Sequence, residues 1–195
     1  VTEADPFARF RSEFDQAAVS EEFEASRCAL ATADASGAPT VRFVLLKGVD
    51  PRGFVFFTNF ESVKARALDQ NPRAEMAFHW HTTGVQVRVR GVVERVSDED
   101  ADAYFATRDR GSQLGAWASK QSTVLDARES LEREVEEVAR RFENVSVTRP
   151  PYWGGFRIVP SAIEFWYNRD DRLHDRWLYA RDRDEDAWAL TRLYP

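Results

Sequence analysis

The stretch A-E-M-A-F-H-W-H-T-T-G-V-Q-V-R-V-R-G-V-V-E-R-V, Ala74 to Val96, decides how this chain folds. Val85, Val87 and Val89 alternate with Gln86, Arg88 and Arg90, a period of two that predicts a strand with one apolar and one polar face. Ala74 to His81 reads as its partner, and Thr82-Thr83-Gly84 supplies the turn between them. A hairpin with one apolar face needs further sheet to bury that face.

The flanks supply it. Toward the N-terminus, Cys28 to Asp34, Val41 to Gly48 and Phe54 to Thr58 are short strand-like runs, separated by Ser36-Gly37 and Asp50-Pro51-Arg52-Gly53 turns. Toward the C-terminus, Phe156 to Val159, Ala162 to Tyr167, Leu173 to Arg181 and Ala187 to Leu193 read as strands. Helices are expected between them. Asp5-Pro6 reads as an N-cap and first helical residue, followed by Phe7, Phe10, Phe14 and Ala17 at helical spacing. Ser62 opens a helix to about Asn71, where Pro72 follows. Ser97, with Asp98, Glu99 and Asp100 behind it, opens another. Asp126 to Phe142 is a charged amphipathic helix with Leu131, Val135 and Val138 on its buried stripe. Roughly eight short strands with intervening helices predict a mainly β chain with flanking helices (α+β), its antiparallel sheet curled like a barrel. The whole of 1–195 reads as a single domain, with 150–195 as its C-terminal segment.

Composition excludes several classes. The net charge of −6 argues against a nucleic-acid binder, so an anion site must be a local cluster of bases. The apolar runs are too short to span a bilayer, and the first fifteen residues have no signal-peptide core. Cys28 is the sole cysteine, which fits a reducing cytoplasm. There is no G-x-G-x-x-G after a strand, no G-x-S-x-G and no metal-ligand spacing around His79 and His81.

Four segments carry candidate chemistry. In R-L-H-D-R, Arg172, His174 and Arg176 sit at alternate positions, which on a strand would put two guanidiniums and an imidazole on one face. In R-F-V-L-L-K, the cations Arg42 and Lys47 are five apart, so a regular strand would turn them opposite ways; alone this reads as a core strand with a charge at each end. In F-F-T-N-F-E-S-V-K, a strand ends, Ser62 opens a helix and Lys64 lies in the first turn, a seat for a phosphate. In the stretch from Tyr104 to Ser122, Tyr104, Arg108 and Ser112 share one stripe if the segment is a continuous helix, and Gln121-Ser122 reads as a loop.

Taken together and in order, R-F-V-L-L-K, F-F-T-N-F-E-S-V-K, N-P-R-A, W-H, Q-V-R-V-x-G, Y-F-x-x-R, S-Q-L-G-A-W-A-S-K-Q-S, W-G-G-F-R, E-F-W and R-L-H-D-R resemble the pyridoxine/pyridoxamine 5′-phosphate oxidase family over nearly the whole chain. The resemblance implies an antiparallel FMN-binding split β-barrel that works as a homodimer with FMN at the interface. It implies FMN contacts from Arg42, Phe43, Val44, Leu45, Leu46, Lys47, Phe57, Thr58, Lys64, Gln86, Gln121 and Ser122, with Trp166 and Arg176 coming from the partner subunit. Lys47, Tyr104, Arg108 and Ser112 would meet the substrate phosphate, Arg172 would lie over the pyridine ring, and His174 would bond its phenolic oxygen. Arg172 and His174 are thus the candidate catalytic residues, acting as positioning groups. The implied reaction oxidises pyridoxine or pyridoxamine 5′-phosphate with O2 to pyridoxal 5′-phosphate and H2O2. A related flavin oxidase acting on another planar anion, such as a phenazine precursor, and a non-enzymatic flavin-binding protein are the alternatives. The chain departs from the family pattern at Val63 and Val85, where Arg is usual, at Asp109, where Pro is usual, and at Tyr167-Asn168, and it starts close to the Asp-Pro motif, so the family's N-terminal lid is expected to be short or missing. Val63 is expected to weaken FMN, and Asp109 to place an acid beside the substrate phosphate.

Overall fold

The computed structural model describes residues 5–184 and 186–195. The hairpin forms as expected: β5 (Arg73–Trp80) pairs antiparallel with β6 (Val85–Arg95), from Arg73 opposite Val92 to Trp80 opposite Val85. Met76, Phe78, Trp80, Val85, Val87 and Val89 all turn into the core. The other strands and the helices build around it. They are α1 (Pro6–Ser20), β1 (Arg27–Ala33), β2 (Pro39–Leu45), β3 (Gly48–Asp50), β4 (Gly53–Asn59) and α2 (Val63–Gln70), then α3 (Asp98–Thr107), α4 (Arg110–Ala118), α5 (Arg128–Arg141), β7 (Trp153–Tyr167), β8 (Asp175–Ala180) and β9 (Ala189–Leu193). All nine described strands belong to one antiparallel sheet in the order β2-β1-β5-β6-β7-β4-β3, with β8 and β9 branching from β7.

The sheet curls because two strands change partners. After β2 leaves β1, the Leu46 N–H still donates to Ser26 O, but the Lys47 N–H donates to Val55 O of β4, drawing the sheet's two ends together. β7 pairs with β4 through Trp153–Ile158 and with β8 through Ala162–Tyr167. The reading of two separate strands around Pro160-Ser161 is corrected here: a bulge at Arg90/Gly91 absorbs the extra residue, and one long strand continues through the proline. Gly91 is required there, since a Cβ would lie 1.9 Å from Val159 O.

α1 closes one end. Asp5 caps it, its carboxylate accepting from Phe7 N, and Pro6 begins it. Phe10 meets Phe54 edge-on at 4.9 Å between centroids and also packs on Phe78 and Trp80. A second, smaller core of Phe105, Leu114, Phe142, Val147 and Trp153 holds α3, α4 and α5 against the start of β7. The apolar stripe of α5 is half-buried, not buried: Leu131, Val135 and Val138 keep partial exposure, and Val138 packs on the second core.

Candidate active site

A cleft of about 580 Å³ opens between β2, β4 and the α3–α4 pair, a volume in the range of small-molecule sites. Four cations line it, Arg42, Lys47, Lys64 and Arg108, and no carboxylate does. Arg42 and Lys47 reach the same cleft because β2 ends at Leu45; the alternation stops before Lys47, so the five-residue spacing no longer separates them.

At one end, Ser62 caps α2 through Ala65 N, and Lys64 in the first turn is buried. Its ammonium donates to Thr58 Oγ1 at 3.0 Å, Ser62 Oγ at 3.3 Å and Gln121 Oε1 at 3.3 Å. Those partners are neutral. Burial, and then the nearby Arg42 guanidinium, push the lysine down to about 8. Arg42 is also held without an acid: Nη1 donates to Leu30 O and Thr32 Oγ1, both at 2.9 Å, Nη2 donates to Thr40 Oγ1, and burial lowers its pKa. Ser122, with φ 72, sits beside this end, its Oγ accepting from Val63 N at 3.4 Å. The Val63 side chain is partly exposed, 43%, at the first position of α2.

The other end corrects the single-helix stripe. Arg108 ends α3 with extended backbone, φ −72 and ψ 148, and Asp109 caps a new helix, α4. The spacing of Tyr104, Arg108 and Ser112 is therefore not that of one helix, yet all three line the cleft, and across the break Gln113 Nε2 donates to Phe105 O at 3.0 Å. The Asp109 carboxylate accepts from Ser112 N at 3.0 Å, and the Ser112 hydroxyl, then that N–H, hold it below the usual carboxylate range. The acid expected beside the cleft is thus engaged as a helix cap, and it does not line the cleft. Lys47 makes a long ion pair, 3.6 Å, with the half-exposed Glu24.

The remaining candidates lie elsewhere. Leu46 is buried in the main core, not in the cleft. Gln86, Trp166 and Arg176 stand opposite one another across β6, β7 and β8, so they form a row on the outer face of the sheet. Arg176 is fixed there by Glu164, whose Oε1 accepts from Nε and Nη2, each at 2.8 Å. The expected alternation of Arg172, His174 and Arg176 on a strand is overturned. β8 starts only at Asp175; Asp170–Arg172 form a 3-10 turn in which Asp171 (φ 54) and Arg172 (φ 61) are left-handed. His174 nevertheless reaches the row, its ring 4.3 Å from that of Trp166. The Arg169 N–H donates to His174 Nδ1 at 3.2 Å, which leaves Nε2 to carry the proton and donate outward.

A family profile described as pyridoxamine 5′-phosphate oxidase matches residues 15–142, and one described as the pyridoxine 5′-phosphate oxidase C-terminal dimerisation region matches 153–195. The chain belongs to the pyridoxamine 5′-phosphate oxidase family. It is 51% identical over 193 residues to the pyridoxine/pyridoxamine 5′-phosphate oxidase of Agrobacterium fabrum, covering 99% of this chain and 94% of that one. It is 53% identical over 192 residues to the oxidase of the same name from Mesorhizobium japonicum, covering 98% and 93%. Among solved structures it superposes on PhzG from Burkholderia lata, in complex with tetrahydrophenazine-1-carboxylic acid, with a TM-score of 0.92 at 30% identity, covering 100% of this chain and 94% of that one. A pyridoxamine 5′-phosphate oxidase-related, FMN binding protein from Nostoc punctiforme shares the fold, with a TM-score of 0.78 at 19% identity and full coverage of both chains.

The cleft also includes residues to which the motifs assign no role. Asn59, Ser119 and Trp153 line it. Asn59 Nδ2 donates to Ser119 O at 3.3 Å, tying the end of β4 to the end of α4. All three stand inside or beside quoted motifs, but nothing in their spacing distinguishes them from core residues. Among the described residues no cluster of three metal-ligating side chains occurs, and no helix is long and apolar enough to cross a membrane.

Proposed function

We propose that this protein is an FMN-dependent oxidase that converts pyridoxine 5′-phosphate and pyridoxamine 5′-phosphate to pyridoxal 5′-phosphate. The observation that carries the reading is the charge of the cleft: four cations, no acid, a buried lysine at one end and a half-buried arginine at the other, neither in an ion pair among the described residues. Lys64 at one end has only neutral partners, and at the other Nη1 of Arg108 is buried without a hydrogen-bond partner. Leaving cations in that state is costly unless an anion arrives. Two seats fit two phosphates, one on the cofactor and one on the substrate.

The residues fit FMN as follows. Lys64, Arg42 and Ser122, with the N-terminus of α2, would hold its phosphate, and Thr58 and Gln121 would border it. The backbone of Arg42 to Lys47 and the ring of Phe57 would flank the flavin. Lys47, Tyr104, Arg108 and Ser112 would take the substrate phosphate. The row of Gln86, Trp166 and Arg176, which His174 joins, lies outside the lining of its own copy's cleft, as does Arg172. It therefore serves the cleft of a second copy in a homodimer, in accord with the dimerisation region matched at 153–195. His174 offers its Nε2 proton to the pyridine's phenolic oxygen, and Arg172 covers the ring.

Bound there, FMN would supply the two-electron redox chemistry, with O2 as the final acceptor. The protein's share is orientation: two anchored phosphates and stacked rings bring the substrate's 4′ carbon into contact. Pyridoxine 5′-phosphate and O2 give pyridoxal 5′-phosphate and H2O2; the amine also takes up water and releases ammonia.

The test is an assay of the purified, FMN-loaded protein in air with either phosphorylated vitamer and, separately, with a reduced phenazine carboxylate. Pyridoxal 5′-phosphate and H2O2 in equal amounts are expected. Protein that holds FMN but turns over neither vitamer would refute the reading, and turnover of the phenazine alone would replace it with the second one.

A further inference from the structure

We propose that Trp153 is a positioning residue for substrate: its indole sets the Arg108 guanidinium and, with Phe57, the Tyr104 ring in the arrangement that receives the phosphate. The inference rests on the oxidase reading above and adds a residue to it.

Arg108 presents a problem of orientation. Its side chain has no ion pair among the described residues, and the neighbouring Asp109 carboxylate is engaged in capping α4. A guanidinium on a long flexible stem would lose considerable rotamer freedom when it grips a phosphate. Aromatic faces supply the order that hydrogen bonds do not. The Arg108 Cζ lies 4.8 Å from the centroid of the Trp153 ring and 5.6 Å from that of Phe105. An arginine held by its π-face keeps its N–H edges unspent, which is what a phosphate requires of it.

The same indole orders Tyr104. The Tyr104 ring stacks on Phe57 at 4.1 Å and 16°, Phe57 stacks on Trp153 at 5.3 Å and 8°, and the Tyr104 and Trp153 planes differ by 8°. Trp153 is itself fixed. It is buried, and its carbonyl accepts from Arg149 Nη1 at 2.7 Å. The same guanidinium bonds Asp98 at 2.7 Å and Asp102 at 2.6 Å, both on α3. The helix that carries Tyr104 is thereby bolted to the residue on which Tyr104 and Arg108 are aligned. A tryptophan needed only to fill the second core would not require this alignment with two cleft residues.

The test compares Trp153→Phe and Trp153→Leu with the unaltered protein, reading kcat and KM for pyridoxamine 5′-phosphate and the Kd for FMN. W153L should raise KM by about tenfold, the size of a lost cation–π contact in a desolvated site, with FMN affinity unchanged. W153F, which keeps a ring, should recover part of that loss. In an Arg108→Lys background the same changes should have a much smaller effect, because the group they position is gone. Unchanged KM in W153L, parallel loss of FMN affinity, or additive effects with R108K would overturn the proposal. Should W153L fail to fold, the pair W153F and R108K decides it in the same way. The unaltered protein separates the two readings: no turnover there would remove the oxidase reading, whereas normal turnover with KM indifferent to Trp153 would remove only this one.

Discussion

Lys64 is the side chain through which the proposed cofactor site would respond to pH. In the flavin-free protein its ammonium is buried among neutral partners and its pKa falls from 10.5 to about 8. The folded state therefore binds fewer protons than the unfolded chain between those values. Stability of the apoprotein should rise with pH across that window, since the burial penalty vanishes as the lysine deprotonates. Cofactor affinity should move the other way. A phosphate monoester is dianionic above its second pKa of about 6, so FMN affinity should be flat from there to pH 8 and fall above it, approaching tenfold per pH unit. Fluorescence titration of FMN between those pH values checks this, and Lys64→Met should abolish the slope; a pH-independent Kd in the unaltered protein would contradict the charge assignment. The residue was legible in the sequence because Ser62 announces a helix start and Lys64 sits in its first turn. Its burial was not, since that depends on Gln121, which comes from a segment distant in the chain. The place of the Leu46 side chain was hidden for a related reason. Its neighbours in R-F-V-L-L-K line the cleft, but the chain switches from β1 to β4 there and turns that one side chain into the core.

Elements explain where periodicity failed. Alternation and capping residues revealed the hairpin, α1 and α2 because their signals are local. The break at Arg108-Asp109 and the bulge at Gly91 were hidden because each depends on what packs opposite. Asp109 has φ −59, a value that proline also adopts, so either residue can end α3 there; only Asp supplies a side-chain cap to α4. Asp109→Ala should therefore lower Tm slightly and raise KM for the phosphorylated substrate, through Ser112 and Arg108, without loss of FMN. The W-G-G segment shows a second non-local constraint. Gly155 stands opposite Phe57 in the β4–β7 ladder, and a Cβ there would lie 2.7 Å from both the Phe57 ring and Val96 Cγ2. Gly155→Ala should destabilise the fold by about 1–3 kcal/mol, as overpacking does, and displace the Phe57–Tyr104 stack. Denaturant unfolding measures the first effect and KM the second; a neutral substitution would mean that β4 and β7 part more easily than their packing implies.

In the whole molecule the candidate residues fall into two groups on different faces. The cleft holds Arg42, Lys64 and Arg108, and the outer row holds Gln86, Trp166 and Arg176. Motif order could place every one of these along the chain, but it could not show that a single copy separates them, because that follows from strand pairing. If two copies complete each other's sites, two inactive variants should rescue each other. Mixed dimers of Lys64→Met with Arg176→Ala would contain one doubly altered site and one intact site. Activity should reappear on mixing, up to about a quarter of the unaltered level for random exchange of half-active mixed dimers; no recovery in dimers shown to be mixed would place both groups in one copy's site. The most direct test of the account is the reductive half-reaction alone. FMN-loaded protein is mixed without oxygen with an excess of pyridoxamine 5′-phosphate, and the flavin absorbance and pyridoxal 5′-phosphate are followed. The account predicts that the yellow colour bleaches as one pyridoxal 5′-phosphate forms per flavin, and that air restores it with one H2O2. A flavin that stays oxidised while the phosphorylated amine is bound would contradict it.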